Sequence, residues 1–140
     1  MDEQVGKYNR TIREILDQIS GELPDHALVS TIHRRFRVAL SIDRTYIIEE
    51  TAPEMLLYRD VIAEGRWDDL IYKDWESEID NQSDAMMHEV DNNSLRDMVG
   101  LLRQLWENHN DEQRDQIKRR MKKMLSYVVK YYKAKAEGRP

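Results

Sequence analysis

Apolar residues recur three and four positions apart along most of this chain, the spacing that lines one face of a helix. Val5, Tyr8, Ile12, Ile15, Leu16 and Ile19 predict a first helix over residues 3–20, with Gly21 as a left-handed C-cap and Pro24 barring continuation. A second helix is predicted from Asp25, as N-cap, to about Ser41. Leu28, Ile32, Phe36, Ala39 and Leu40 line its inner side, and Arg34, Arg35 and Arg37 lie outside. A short helical piece over 43–50 carries Tyr46, Ile47 and Ile48. Thr51-Ala52-Pro53-Glu54 then reads as a fresh start, with a capping Thr, a Pro suited to the first turn and a Glu completing a capping box. The helix it opens draws its buried positions from Met55, Leu57, Val61 and Ile62 and stops at Gly65.

Residues 66–93 break the period. Trp67, Leu70, Ile71 and Trp75 suggest a packed turn or two among acids, and the polar clusters at 81–84 and 91–94 read as loop or cap material. A mobile surface connection is expected within 76–93. Two long helices close the chain. Leu95, Met98, Val99, Leu102, Leu105 and Trp106 form one stripe. Ile117, Met121, Met124, Leu125, Val128 and Tyr132 form the other, with Tyr131 at its edge. Asn108-His109-Asn110 is short enough to predict an antiparallel hairpin, and Asn110 with Gln113 offers a second capping box. The pattern as a whole predicts an all-α, single-domain bundle of five or six helices over residues 1–135, with a frayed tail at 136–140.

Two segments, LLYRDVIAEGRWDDLIYKDWESEI and LLRQLWENHNDEQRDQIKRRMKKMLSYVVKYY, together resemble a family of small helical proteins of nucleocytoplasmic large DNA viruses. The matching positions are Tyr58, Arg59, Ile62, Trp67, Lys73, Asp74, Trp75, Trp106 and Tyr132, within about half the chain. One departure is Ile117-Lys118, where the family pattern places an aromatic after the isoleucine. The resemblance implies a viral context and contributes no catalytic residues.

Composition bounds the class. At 140 residues with 35% charged and 40% apolar side chains, the chain has the makeup of a globular domain of ordinary size. No Cys is present, so disulfides, thiol catalysis and Cys-type zinc sites are excluded. No apolar run reaches the ~18–20 residues that cross a bilayer, and the polar start MDEQVGKYNR has no signal-peptide core. An intracellular, cytoplasmic location is the expectation, in a host cell or a virion. On that footing the glycosylation sequons at Asn9, Asn81 and Asn92 are inert.

Catalytic chemistry finds little purchase. The four histidines, His26, His33, His88 and His109, form neither a Glu-x-x-His nor a His-Glu-x-x-His pattern. His88-Glu89 with Asp91 is a local cluster of a kind common in acidic chains. Glu49, Glu50 and Glu54, and Asp68, Asp69, Asp74 and Glu76, are candidates for cation binding or acid–base work. Charge runs more often simply face water, and no Lys or His accompanies them at fixed helical spacing. There is no Gly-x-Ser-x-Gly and no glycine cluster to cradle phosphate. The sequence therefore points to a non-enzymatic protein with no metal and no cofactor.

Charge is where the sequence speaks most clearly. Residues 41–98 hold five Lys/Arg against sixteen Asp/Glu, whereas from Asp111 onward ten Lys/Arg face four Asp/Glu. At 100° per residue, Arg119, Lys122, Lys123, Lys130 and Lys133 oppose the Ile117/Met124/Val128 stripe and form a basic ridge. Such a ridge suits an acidic protein or a phosphate backbone, although late cations also complement the helix dipole. The overall charge of −5 weighs against nucleic acid. Trp67, Asp68, Asp69, Tyr72 and Trp75 compose a second candidate surface, aromatic and acidic; large aromatics here serve as interface anchors or, more often, as a lid on the core. The favoured expectation is a protein-interaction module, a viral accessory or virion-associated protein docking a protein partner through either surface. The alternatives are nucleic-acid binding by the basic ridge, and a Bcl-2-like helical decoy for a host helix. The last helix is long enough for a homodimer.

Overall fold

A computed structural model describes residues 2–75, 77 and 92–138. Among these residues the chain is all-α, with no strand. Its helices are α1 (Asp2–Glu22), α2 (Ala27–Ile42), α3 (Tyr46–Leu57), α4 (Arg59–Ala63), α5 (Trp67–Ile71), α6 (Asn92–Asn108) and α7 (Asp111–Ala136). Of the predicted connection at 76–93, residues 76 and 78–91 lie outside the described residues, and with them Glu76 and the His88-Glu89-Asp91 cluster, as does the side chain of Leu95. Asn92, Asn93 and Ser94, expected as loop or cap material, instead form the first turn of α6. Two compact units result: residues 1–59 with 119–140, and the intervening 60–118.

In the first unit α1, α2 and α3 pack on one another, and α7 from Arg119 onward completes the core. Val5, Tyr8, Val29, Phe36, Ile48, Ala52, Met55, Met124, Val128, Tyr131 and Ala134 are buried. α7 runs antiparallel to α1. Arg120 donates to the Gln18 carboxamide at one end, and Lys130 lies close enough to Glu3 at the other to help depress that carboxyl's pKa, after the larger effects of the Lys7 hydrogen bond and charge. The hydroxyls of Thr11, Thr51 and Tyr8 inside the bundle are paired. The Thr11 hydroxyl donates to Lys7 O at 2.9 Å. Thr51 donates to Ile47 O at 2.8 Å and also hydrogen-bonds the Tyr8 hydroxyl.

Several element boundaries differ from the sequence expectation. Gly21 lies inside α1, and only Gly65 and Gly138 have positive φ among the described residues. Pro24 ends the helix instead, after Leu23 N has donated to Ile19 O at 2.9 Å. The residue before α2 is His26, without a side-chain cap, rather than Asp25. Thr51-Ala52-Pro53-Glu54 does not open a helix. α3 begins at Tyr46 and runs through Pro53, which lacks the N–H needed to bond Glu49 O. Burial of Ile48, Ala52 and Met55 on one face outweighs that loss. The expected continuation to Gly65 is broken at Tyr58, whose φ of −103° and ψ of 21° separate α3 from α4. Leu57 in consequence points outward, 67% exposed. Gly65, with φ of 72°, does stop the chain as expected.

In the second unit Ile62, Leu70, Ile71, Leu105 and Trp106 are buried, and α5 packs on α6. The Arg103 guanidinium ties the end of α5 by donating to Ile71 O at 2.9 Å and Lys73 O at 2.8 Å. The capping box at the start of α7 forms as the sequence predicts: Gln113 N donates to Asn110 Oδ1 at 2.9 Å and Asn110 N to Gln113 Oε1 at 2.8 Å.

Candidate functional site

The basic ridge takes its shape from the packing of α7. With Met124, Val128 and Tyr131 turned inward, helical geometry turns Arg119, Lys122, Lys123, Lys130 and Lys133 outward, and all five are exposed. From Arg119 to Lys133 is fourteen residues, about 21 Å at 1.5 Å per residue. No acid occurs between Asp115 and Glu137, so Lys122, Lys123 and Lys130 have no acid three or four residues away within the helix, whereas Arg119 stands four residues after Asp115. The Lys122, Lys123 and Lys133 side chains form no ion pair among the described residues. Two residues that the sequence reading passed over share this face: Ser126, and Val129, which is 49% exposed. Their signal was positional, Val129 standing seven residues after Lys122 and four before Lys133.

Charge segregates by unit. Residues 1–59 and 119–140 carry 16 Lys/Arg against 11 Asp/Glu, a net of +5; residues 60–118 carry 6 against 16, a net of −10. The negative charge of the whole chain thus belongs to the inserted unit, and the unit bearing the ridge is cationic.

The inner edge of α7 differs by one residue from expectation. Tyr131 is the buried tyrosine, at 1% exposure, and Tyr132 is intermediate. Steps of 100° from Ile117 leave Tyr131 about 40° and Tyr132 about 60° from the stripe, on opposite sides, so the phase itself leans to Tyr131, and the packed stripe follows 124, 128 and 131. The Tyr131 hydroxyl donates to Glu49 Oε1 at 2.6 Å, and its ring meets Tyr132 edge to face at 5.1 Å. Lys135 Nζ reaches the same carboxylate oxygen at 3.2 Å. The Tyr131 and Lys135 hydrogen bonds hold the Glu49 carboxyl below its usual pKa. Burial, and then the bond to that anion, push the Tyr131 phenol upward.

The aromatic-acidic residues are occupied within their own unit. Trp67 packs edge-on to Trp106, with centroids 6.5 Å apart. Trp106 Nε1 donates to Asp68 Oδ1 at 2.5 Å, Asp69 pairs with Arg66 at 3.0 Å, and Trp75 Nε1 donates to Leu70 O at 2.7 Å. Tyr72 is half exposed and donates to Glu107 at 3.0 Å. The Arg114 and Lys118 cations sit over Trp106, 5.1 and 5.9 Å from its ring centre. Trp67 and Trp75 are partly buried, so this cluster holds α5, α6 and the first turns of α7 together.

The remaining titratable candidates are dispersed. His33 Nε2 meets Asp17 Oδ1 at 2.8 Å across α1 and α2, and Asp74 accepts from the Ser77 hydroxyl at 2.8 Å. Among the described residues no group of three or more His, Asp or Glu is arranged to hold a metal ion, and no helix is long and apolar enough to cross a membrane. Comparison with known proteins gave no matching family model, no matching curated protein and no matching solved structure.

Proposed function

We propose that this protein is a non-enzymatic interaction module that docks an acidic protein through the basic ridge of α7. Its context is that of a viral accessory or virion-associated protein, which the resemblance described above suggests. The observation that carries the reading is the set of exposed lysines, Lys122, Lys123 and Lys133, left without ion pairs among the described residues on a helix whose opposite face is committed to the core. Of the two candidate surfaces, the ridge has charge to offer, whereas Trp67, Asp68, Asp69 and Trp75 spend their polar atoms and rings on neighbours in the same unit.

Nucleic-acid binding is the second reading, favoured by the net +5 of the ridge-bearing unit. Lysine ammonium groups contact phosphates without reading bases, so such binding would be unspecific and salt-dependent.

The two readings separate in a titration of labelled poly-L-glutamate, duplex DNA and single-stranded RNA against the protein and its K122E/K123E/K130E/K133E variant. Docking to acidic protein requires poly-L-glutamate binding that weakens with salt and is lost in the variant. Tighter binding of DNA or RNA, equally lost in the variant, would transfer the function to phosphate. No binding of any polyanion at an ionic strength of about 0.15 M would remove the ridge from consideration.

A further inference from the structure

The ridge is more than a row of charges. Lys122, Ser126, Val129 and Lys133 follow one another at intervals of four, three and four residues, the spacing of a seam that meets a second helix. The seam is about 16 Å long, three helical turns. At its centre stands Val129, 49% exposed, with Ser126 beside it as a small residue permitting close approach. Arg119, Lys123 and Lys130 line one side of it. Like charges three and four residues apart, as at 119, 122 and 123 and at 130 and 133, destabilise an isolated helix, so a partner carrying the opposite charge along the seam relieves repulsion as it binds.

Resting on the reading of the ridge as a protein-docking face, we propose that the Lys122–Ser126–Val129–Lys133 seam receives an acidic amphipathic helix of a partner protein. That helix lies along α7, with an apolar side chain against Val129 and carboxylates toward the flanking lysines. Charge complementarity selects the acidic partner, and the apolar centre selects a helix over a phosphate backbone. A phosphate chain has nothing to bury against a valine, whereas a helix pairs it in the manner of a knob between seams. The opposite face of α7 is already filled by Met124, Val128 and Tyr131, so the helix would be sandwiched between its own core and the partner.

The test uses the full chain and two fluorescein-labelled 21-residue peptides of one composition. In one, Leu and Ala recur at three- and four-residue spacing with Glu flanking them; in the other the order is scrambled. Twenty-base-pair duplex DNA is the third probe. The expected result is binding of the ordered peptide at least tenfold tighter than the scrambled one. Val129→Ser should weaken it about fivefold, the scale of losing one partly buried apolar side chain, while far-UV circular dichroism stays unchanged. Equal affinity for the two peptides, or no effect of Val129→Ser, overturns the helix-docking proposal. It leaves the acidic-partner reading standing, provided K122E/K133E still abolishes binding. Tighter binding of DNA, insensitive to Val129→Ser, overturns both, as does no binding of either peptide.

Discussion

Replacing Tyr131 by Phe would remove one hydroxyl from the core and leave the ring in place. That hydroxyl donates to Glu49 Oε1 at 2.6 Å across a sequence separation of 82 residues, so its loss tests how firmly α7 is held to α3. A hydrogen bond to a charged group contributes about 1.5–3 kcal/mol. The Glu49 side chain is 42% exposed, and water and Lys135 both compensate it, which places the expected loss near the bottom of that range, about 1–1.5 kcal/mol at pH 7. At about 2–4 °C per kcal/mol for a chain of this size, the melting temperature should fall by roughly 2–6 °C. The pH dependence carries a sign. Glu49 has a folded pKa depressed below 4.5, so its stabilisation is complete above that value and lost as pH falls through the folded pKa. The gap between Tyr131→Phe and the parent should therefore be widest near neutrality and narrow as pH drops below 4.5. Urea unfolding of Tyr131→Phe, Glu49→Gln and the double variant, at pH 7 and at pH 3.5, measures both effects. A coupling energy near zero at pH 7, or a gap that grows at low pH, would refute the reasoning.

Three further outcomes are expected. Ile48→Ala, at a fully buried position of α3, should cost about 2–5 kcal/mol in thermal or chemical unfolding; a loss under 1 kcal/mol would mean that the core of the first unit is not packed around it. Gly21→Ala and Gly100→Ala place a methyl within a helix where nothing lies within 4 Å, and each should stabilise by about 0.5–1 kcal/mol. Gly65→Ala, at a φ of 72°, should destabilise by about 1 kcal/mol or more, and equal signs for the three would contradict the assigned conformations. Spectrophotometric titration should show Tyr8 and Tyr131 ionising later than the ordinary phenol value of 10, because burial raises both. Stability is thus full below pH 10 and declines as pH climbs toward the folded values, so seven tyrosines ionising together near pH 10 would be inconsistent with the structure.

How much of this was legible in the chain depends on which physical signal was decisive. Period was reliable: Val5 and Tyr8, Phe36, Met124 and Val128 were read as inward-facing and are buried. A reciprocal cap was reliable where both partners sit at a helix start, as with Asn110 and Gln113. The same motif misled at Thr51-Ala52-Pro53-Glu54, because a Thr hydroxyl can bond the carbonyl four residues back and stay within a helix. Gly21 misled because a glycine followed by Pro24 looks like a cap whether or not it turns left-handed. The exchange of Tyr131 for Tyr132 turned on a small margin of helical phase, about 40° against about 60° from Ile117, and the nearer ring is the buried one. The division into units left no linker to find: its boundaries fall within α4 and within α7. The outward orientation of the ridge was legible; the valine at its centre was passed over because an isolated exposed Val is unremarkable until its neighbours are placed.

The first unit is assembled from two distant stretches of chain, 1–59 and 119–140, and this gives synthesis a schedule. During translation, α1, α2 and α3 leave the ribosome with Val5, Tyr8 and Ile48 still lacking Val128 and Tyr131. At about 5–20 residues per second, the seventy or so residues up to Tyr131 take roughly 4–14 s to follow. For that interval the N-terminal helices expose apolar surface that a chaperone, or another nascent copy, can engage. Chains stalled near residue 118 should accordingly be cut by protease in α1–α3, and chains released after residue 135 should resist; early resistance would mean that the three N-terminal helices close without the last.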